Sequence, residues 1–396
     1  MNCRIPYIFR RGALLIEMNS KKLRAVGRTA TATALIVLVA AVGLGYLWLS
    51  SGGTAGNSFQ GTIQGAGATF PYPFYSNLSQ QYLKVAPGVQ INYNSIGSGG
   101  GIRQFTDKTV DFGASDAPLT DSQFASAAGV VHVPMVIGGV VAAYNVPGLS
   151  NGLRLTGDVL AKIFLGNITR WNDSEIRALN PTVTLPANPI IVVHRSDGSG
   201  TTFVWTQYLA SVSQTWADAV GVSTSVNWPI GLGGNGNNGV AGLIVQNPYS
   251  IGYVEYTYAI LNGMNYAAIR NAAGNFILPD VQSISKAAAA AALSLPRGDQ
   301  SWSQVSIIKA VVNDTQAADA YPVTSFTYVL VYKDLSVVPG MTLEKAKAMI
   351  QFLWWAVHDG QSYAQPLAYV PLPPPVVSLD ETTLRSIQFN GQAVMP

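Results

Sequence analysis

The side chains best suited to chemistry lie in His194-Arg195-Ser196-Asp197-Gly198-Ser199-Gly200-Thr201-Thr202. Arg195 supplies one fixed positive charge, Ser199 and Thr201 supply small hydroxyls, and Gly200 lets backbone N–H groups approach a ligand closely. Apolar residues 190–193 lead in, and Phe203, Val204, Tyr208 and Leu209 follow at helical spacing, so the stretch reads as strand, tight turn and helix. A helix N-terminus offers unpaired N–H groups and a favourable dipole to an anion. A guanidinium fork matches the geometry of an oxyanion. The chemistry is that of holding a small tetrahedral anion.

Two further turns carry the same device. Thr69-Phe70 and Ser98-Gly99-Gly100 each follow or flank a strand pattern and open a helix, with a hydroxyl and unhindered amides. Each alone is also a helix cap, since Ser and Thr are good N-caps. Ligands of open α/β sheets sit beyond the carboxyl ends of the strands, so the three turns could meet at one point and form an anion nest without a metal. Asp116 is the informative acid. It either caps the turn before Pro118 or accepts a hydrogen bond from an anion that still carries a proton, as phosphate does and sulfate does not. Asp197 either orients Arg195 or caps the helix beside Ser199.

Other chemistries fit poorly. Gly65-Ala66-Gly67 starts a dinucleotide pattern but has Phe70 where the third glycine belongs, and no phosphate-loop motif with Gly-Lys-Ser/Thr occurs. Gly113-Ala114-Ser115-Asp116-Ala117 lacks the final glycine of a hydrolase elbow. His132, His194 and His358 have no ligand-like spacing, and no carboxylate cluster suggests a phosphatase metal site. No cofactor is called for, and an enzyme is not expected.

The elements that must position these turns alternate apolar β-type runs with helical patterns from residue 57 onward, as in an α/β fold. The patterns predict helices over 72–84, 102–106, 156–165, 173–179, 240–246, 287–292 and 342–358. They predict strands over 89–94, 130–146, 251–258 and 321–332, a short strand ending in a turn over 110–118, and a proline-rich connector over 371–375.

The chain has 396 residues, enough for two domains, and only 11% of them are charged, against roughly 25% in an average soluble protein. A net charge of +3 without a basic cluster interleaved with aromatics argues against nucleic acid. The single Cys3 excludes a disulfide framework within the chain. Lys21, Lys22, Arg24 and Arg28 precede an uncharged apolar stretch over 29–49, about the length that spans a bilayer, with the basic side kept inside. Its length and its bulky end at Tyr46, Leu47 and Trp48 favour an uncleaved anchor over a signal peptide. Met18 is an alternative start.

Seven ordered motifs resemble the phosphate-binding protein of the high-affinity phosphate ABC transporter of bacteria and archaea. They are residues 65–71 (GAGATFP), 96–101 (IGSGGG), 110–119 (VDFGASDAPL), 136–141 (VIGGVV), 197–201 (DGSGT), 228–234 (WPIGLGG) and 251–256 (IGYVEY). The resemblance implies a two-lobed periplasmic-binding-protein-like fold of type II, with lobe 1 from 61–142 plus 325–396 and lobe 2 from 143–324. A cytoplasmic segment (1–28), the membrane segment (29–49) and a linker (50–60) would precede them. It implies that Thr69, Phe70 through its backbone, Ser98, Asp116, Arg195, Ser199, Gly200 and Thr201 bind inorganic phosphate, with Asp116 accepting its proton and Asp197 steering Arg195. The implied partners are permease subunits of an ABC transporter, for a monomer; the segment over 29–49 adds a tether to the outer face of the membrane, a departure from Gram-negative members, which are free in the periplasm. Another tetrahedral oxyanion, or a sensor or surface role, is the alternative. The tail after Pro371 has little of the family's character.

Overall fold

The computed structural model describes residues 59–291 and 295–395. The glycine-rich opening becomes strand β1 (Gly61–Gly67), followed by helix α1 (Tyr72–Val85), strand β2 (Val89–Ser95), helix α2 (Ser98–Thr106) and strand β3 (Phe112–Ser115). β1 pairs in parallel with β2 on one side and β3 on the other. Parallel pairing demands a crossover, and α1 and α2 supply it.

Strand β4 (Val130–Asn145) is 16 residues long and buried from Val130 to Tyr144, which explains its near-continuous apolar sequence. Beyond it come β5 (Ile191–Arg195), α3 (Gly200–Val212), β6 (Leu232–Gly234), α4 (Gly236–Gln246), β7 (Ser250–Glu255) and α5 (Tyr256–Leu261). The chain returns through β8 (Thr324–Tyr332), α6 (Leu343–Val357) and α7 (Pro374–Arg385). The first part of β4 pairs antiparallel with β8, Val130 to Gly139, and its second part with β7, Val140 to Asn145. One strand thus belongs to both halves of a sheet ordered β2-β1-β3-β8-β4-β7-β5-β6, with Asn265–Tyr266 also on β4. The turns of interest follow the carboxyl ends of β1, β2, β3, β5 and β6.

Several boundaries differ from the sequence expectation. α2 starts at Ser98, not near Ile102: Gly97 takes the left-handed φ of 84° before it, and Ser98, Gly99 and Gly100 form the first turn. The same glycine ambiguity hides the start of α4 at Gly236 instead of Val240. Residues 256–258 are helix, because the Glu255 carboxylate accepts the Thr257 amide at 2.9 Å and caps α5. The proline-rich connector opens α7, since proline is tolerated in a first turn. The tail is therefore folded, with Val376 and Leu384 buried and a short hairpin, Gln388–Phe389 against Gln392–Ala393, beyond. The predicted 287–292 helix runs from Val281 to Ala291, and Ala292 lies outside the described residues.

The predicted segments 1–28 and 29–49, and most of the linker, also lie outside the described residues. Among the described residues no helix is long and apolar enough to cross a membrane. Gly101 decides how closely α2 approaches the sheet. A Cβ there would lie 2.4 Å from Gly67 Cα and 2.7 Å from the Ala66 carbonyl, both backbone atoms that have no rotamer to give. Gly101→Ala is expected to cost about 1–3 kcal/mol in chemical denaturation, as overpacking does; an unchanged midpoint would show that α2 can shift outward freely.

Candidate functional site

Arg195 is the last residue of β5, and only 2% of it is exposed. Its amide donates to Tyr253 Oη of β7 at 3.1 Å, and that hydroxyl lies 2.6 Å from Thr202 Oγ1 on α3. The guanidinium donates from Nε to Asp197 Oδ1 at 2.7 Å and from Nη2 to Asp197 Oδ2 at 2.5 Å. The remaining branch, Nη1, points to Thr201 Oγ1 at 3.4 Å. Asp197 Oδ1 also accepts the Gly236 amide, the first of α4, at 3.0 Å. Burial works against the Asp197 charge, but the Arg195 hydrogen bonds and charge outweigh it and hold the carboxyl below its ordinary range. Of the two roles open to Asp197, orienting Arg195 is the one observed. Ser199 caps α3, its Oγ accepting the Thr202 amide at 3.0 Å.

That cap leaves Gly200 and Thr201 as the first two helical residues, whose amides have no acceptor within the helix. The Ser199 hydroxyl keeps its proton to donate.

The turn after β1 is pinned from behind. The Thr69 carbonyl accepts Tyr258 Oη at 2.6 Å, and the Phe70 carbonyl accepts Tyr369 Oη at 2.6 Å. Thr69 Oγ1 accepts from Asn237 Nδ2 at 2.8 Å and from the Asn237 amide at 3.2 Å. The same Nδ2 donates to Thr201 Oγ1 at 3.1 Å, and Asn237 Oδ1 accepts the Glu255 amide at 3.0 Å. Asn237 therefore ties the turn after β1 to the start of α3. Sequence reading passed over it, because it sits in the glycine loop 230–239 and its helical position shows only once α4 is seen to begin at Gly236.

Ser98, the first residue of α2, accepts the Asp116 amide on its Oγ at 3.2 Å. Asp116 is 1% exposed; its Oδ1 accepts Thr327 Oγ1 at 2.9 Å, and its Oδ2 has no hydrogen-bond partner. Burial pushes its carboxyl up to about 7, against the Thr327 hydrogen bond and the Arg195 charge. It does not cap the turn before Pro118; Ser115 Oγ accepts the Ala117 amide at 3.1 Å instead.

The helix starts meet. A Cβ on Gly200 would lie 2.5 Å from Ser98 Oγ and 2.6 Å from Asp116 Cβ, and the Gly99 amide donates to the Gly198 carbonyl at 2.9 Å. Thr69, Phe70, Ser98, Asp116, Arg195, Ser199, Gly200 and Thr201 thus converge on one buried place, with Asp197 behind Arg195. His194 adjoins it, but its ring stacks on Trp228 at 4.8 Å and its Nδ1 lies 3.0 Å from the Arg195 carbonyl, which is a packing role. Among the described residues no group of His, Cys, Asp and Glu could hold a metal ion. Hydroxyls, amides and one guanidinium face a single unpartnered acceptor, a set that suits a tetrahedral oxyanion bearing one proton.

A family model described as a PBP superfamily domain matches residues 52–359. The chain is 44% identical over 317 residues to the phosphate-binding protein PstS of Pasteurella multocida, covering 80% of this chain and 88% of that protein. It is 45% identical over 318 residues to PstS of Xylella fastidiosa, covering 80% and 82%. The solved phosphate-binding protein from Stenotrophomonas maltophilia matches with a TM-score of 0.62 at 16% identity, over 83% of this chain and 99% of that one, a likeness of fold.

Asn237→Ala removes three hydrogen bonds and leaves the buried Glu255 amide without an acceptor. A loss of about 1–3 kcal/mol is expected in denaturation without ligand, and unchanged stability would show that the bridge carries no load.

Proposed function

This chain belongs to the PstS phosphate-binding proteins, and on that premise we propose that its buried cage captures one inorganic phosphate outside the cytoplasm and delivers it to an ABC permease. The observation that carries the reading is the unpartnered Asp116 Oδ2 among donors. Arg195 Nη1, the hydroxyls of Thr69, Ser98, Ser199 and Thr201, and the amides of Phe70, Gly200 and Thr201 donate to three phosphate oxygens. Asp116 accepts the proton of the fourth. Sulfate has no such proton and would set an oxyanion against a carboxylate, which is costly in a buried site. The curated relatives are named as phosphate-binding proteins, so the protein is read as a binder and not as an enzyme.

The two halves of the sheet that share β4 act as the lobes, 61–142 with 325–396 and 143–324. They close over phosphate by a hinge where β4 changes partner and where β8 runs beside it. The close approach of Gly200 to Ser98 and Asp116 supports reading this as the closed arrangement. Segment 29–49 tethers a monomer to the membrane, with residues 1–28 inside and residues 50–60 as linker. An intact mass beginning at Met1 or Met18 in the membrane fraction is expected; a mass beginning after residue 49 would show a cleaved signal.

Calorimetry tests the ligand. Phosphate is expected to bind and sulfate to be rejected at about pH 8, where Asp116 is ionised. As pH falls through about 7, Asp116 takes up a proton and becomes a donor, so sulfate gains affinity. The folded value lies above the unfolded one, so the unliganded protein loses stability as pH rises from about 4 to about 7 and keeps that loss above it. Arg195→Ala is expected to weaken phosphate binding by roughly 100-fold, the loss of charge-assisted hydrogen bonds. Sulfate binding as tight as phosphate at about pH 8 would refute the role given to Asp116.

A further inference from the structure

Strand register settles which residue stands beside Asp116. β3 and β8 pair antiparallel with Tyr328 opposite Ser115, so the next step along the ladder sets Thr327 across from Asp116 on the same face. Thr327 is fully buried, and its hydroxyl donates to Asp116 Oδ1. On its other flank β8 meets β4 with a shift of register: Thr327 pairs with Val136, but Tyr328 pairs with Pro134. Pro134 has no amide to give the ladder, and such irregularities re-aim side chains beside functional sites.

We propose that Thr327 is a specificity-determining positioning residue: by donating to Oδ1 it fixes the Asp116 carboxylate and keeps it an acceptor, so that Oδ2 admits only an oxyanion carrying a proton. This deepens the phosphate-binding reading above and rests on it. The hydroxyl matters because it works against what pushes Asp116 towards its neutral form. Burial comes first. Burial first, and then the Asp116 charge, hold Glu255 at the end of β7, Tyr75 on α1, Tyr93 on β2, Tyr258 on α5 and Tyr328 on β8 above their ordinary ranges, so the tyrosines stay neutral and add no charge against Asp116. Arg195 is the cation that favours ionisation. Thr327 is the hydrogen-bond donor to the carboxylate among the described residues, and a donor to the charged form opposes protonation. Without it, Asp116 would more readily hold a proton, donate it to the ligand, and accept fully ionised sulfate.

The experiment uses the full chain with inorganic phosphate and sulfate in calorimetry across about pH 5.5 to 9. Thr327→Val keeps the shape and removes the donor; Thr327→Ser keeps the donor. The valine variant is expected to lower the phosphate-to-sulfate affinity ratio roughly tenfold at about pH 8 and to move the onset of selectivity up by about one pH unit. The serine variant is expected to restore both. Thr327→Ala supplies the same measurement where the valine variant does not fold. Equal weakening of both anions with an unmoved pH profile would overturn the proposal, as would an unchanged ratio or failure of serine to restore it. An unsubstituted protein that binds no phosphate overturns this proposal and the function together. Phosphate binding that persists while the ratio ignores Thr327 overturns this proposal alone.

Discussion

The Arg195–Asp197 pair is the constraint on which the site depends. An unpaired guanidinium at 2% exposure would carry a prohibitive desolvation cost. Asp197 removes that cost with two parallel hydrogen bonds and, in doing so, fixes the plane of the fork. It also accepts the first amide of α4, so the position of Asn237, one residue on, follows from the same carboxylate. Asn237 then sets Thr69 and Thr201 at hydrogen-bond distance from a single side-chain nitrogen. The cage is therefore a chain of constraints running from one ion pair through two helix starts to a turn in the opposite half of the sheet.

The second organising element is the absence of a partner for one oxygen. Most buried polar atoms in a folded protein are hydrogen-bonded, and an exception marks either strain or function. Asp116 Oδ2 is such an exception inside a ring of donors. Its neighbour Oδ1 is satisfied by Thr327, so the carboxylate is held in one orientation. On the function proposed above, a flexible or fully satisfied acid here would fill the cage electrostatically without reading the ligand's proton.

Much of the site was legible in the sequence because it is built from turns with strong local chemistry. Ser199 before Gly200-Thr201, and Ser98 before Gly99-Gly100, declare helix starts by composition, and Arg195 stands out in a chain so poor in charge. The partners that hold these residues were not legible. Thr327, Tyr258 and Tyr369 come from elements 189 to 299 residues away from what they bind, or 211 in the case of Asp116, and only register and packing bring them there. Tyrosines in apolar runs look like core, and these are buried; their hydroxyls do the positioning. The helix starts at Ser98 and Gly236 were misplaced for the opposite reason, since glycine-rich turns carry no periodic signal until tertiary packing makes them helical.

Pairing the guanidinium with a carboxylate has a consequence for how the protein meets its ligand in solution. With Arg195 neutralised by Asp197 and Asp116 contributing negative charge when ionised, the cage presents no surplus positive charge to an arriving anion. Compensation falls to hydroxyl and amide dipoles, whose fields fade within a few ångströms and lie beneath protein where mobile ions do not enter. On the phosphate reading proposed above, dissolved electrolyte has little to screen inside the cage.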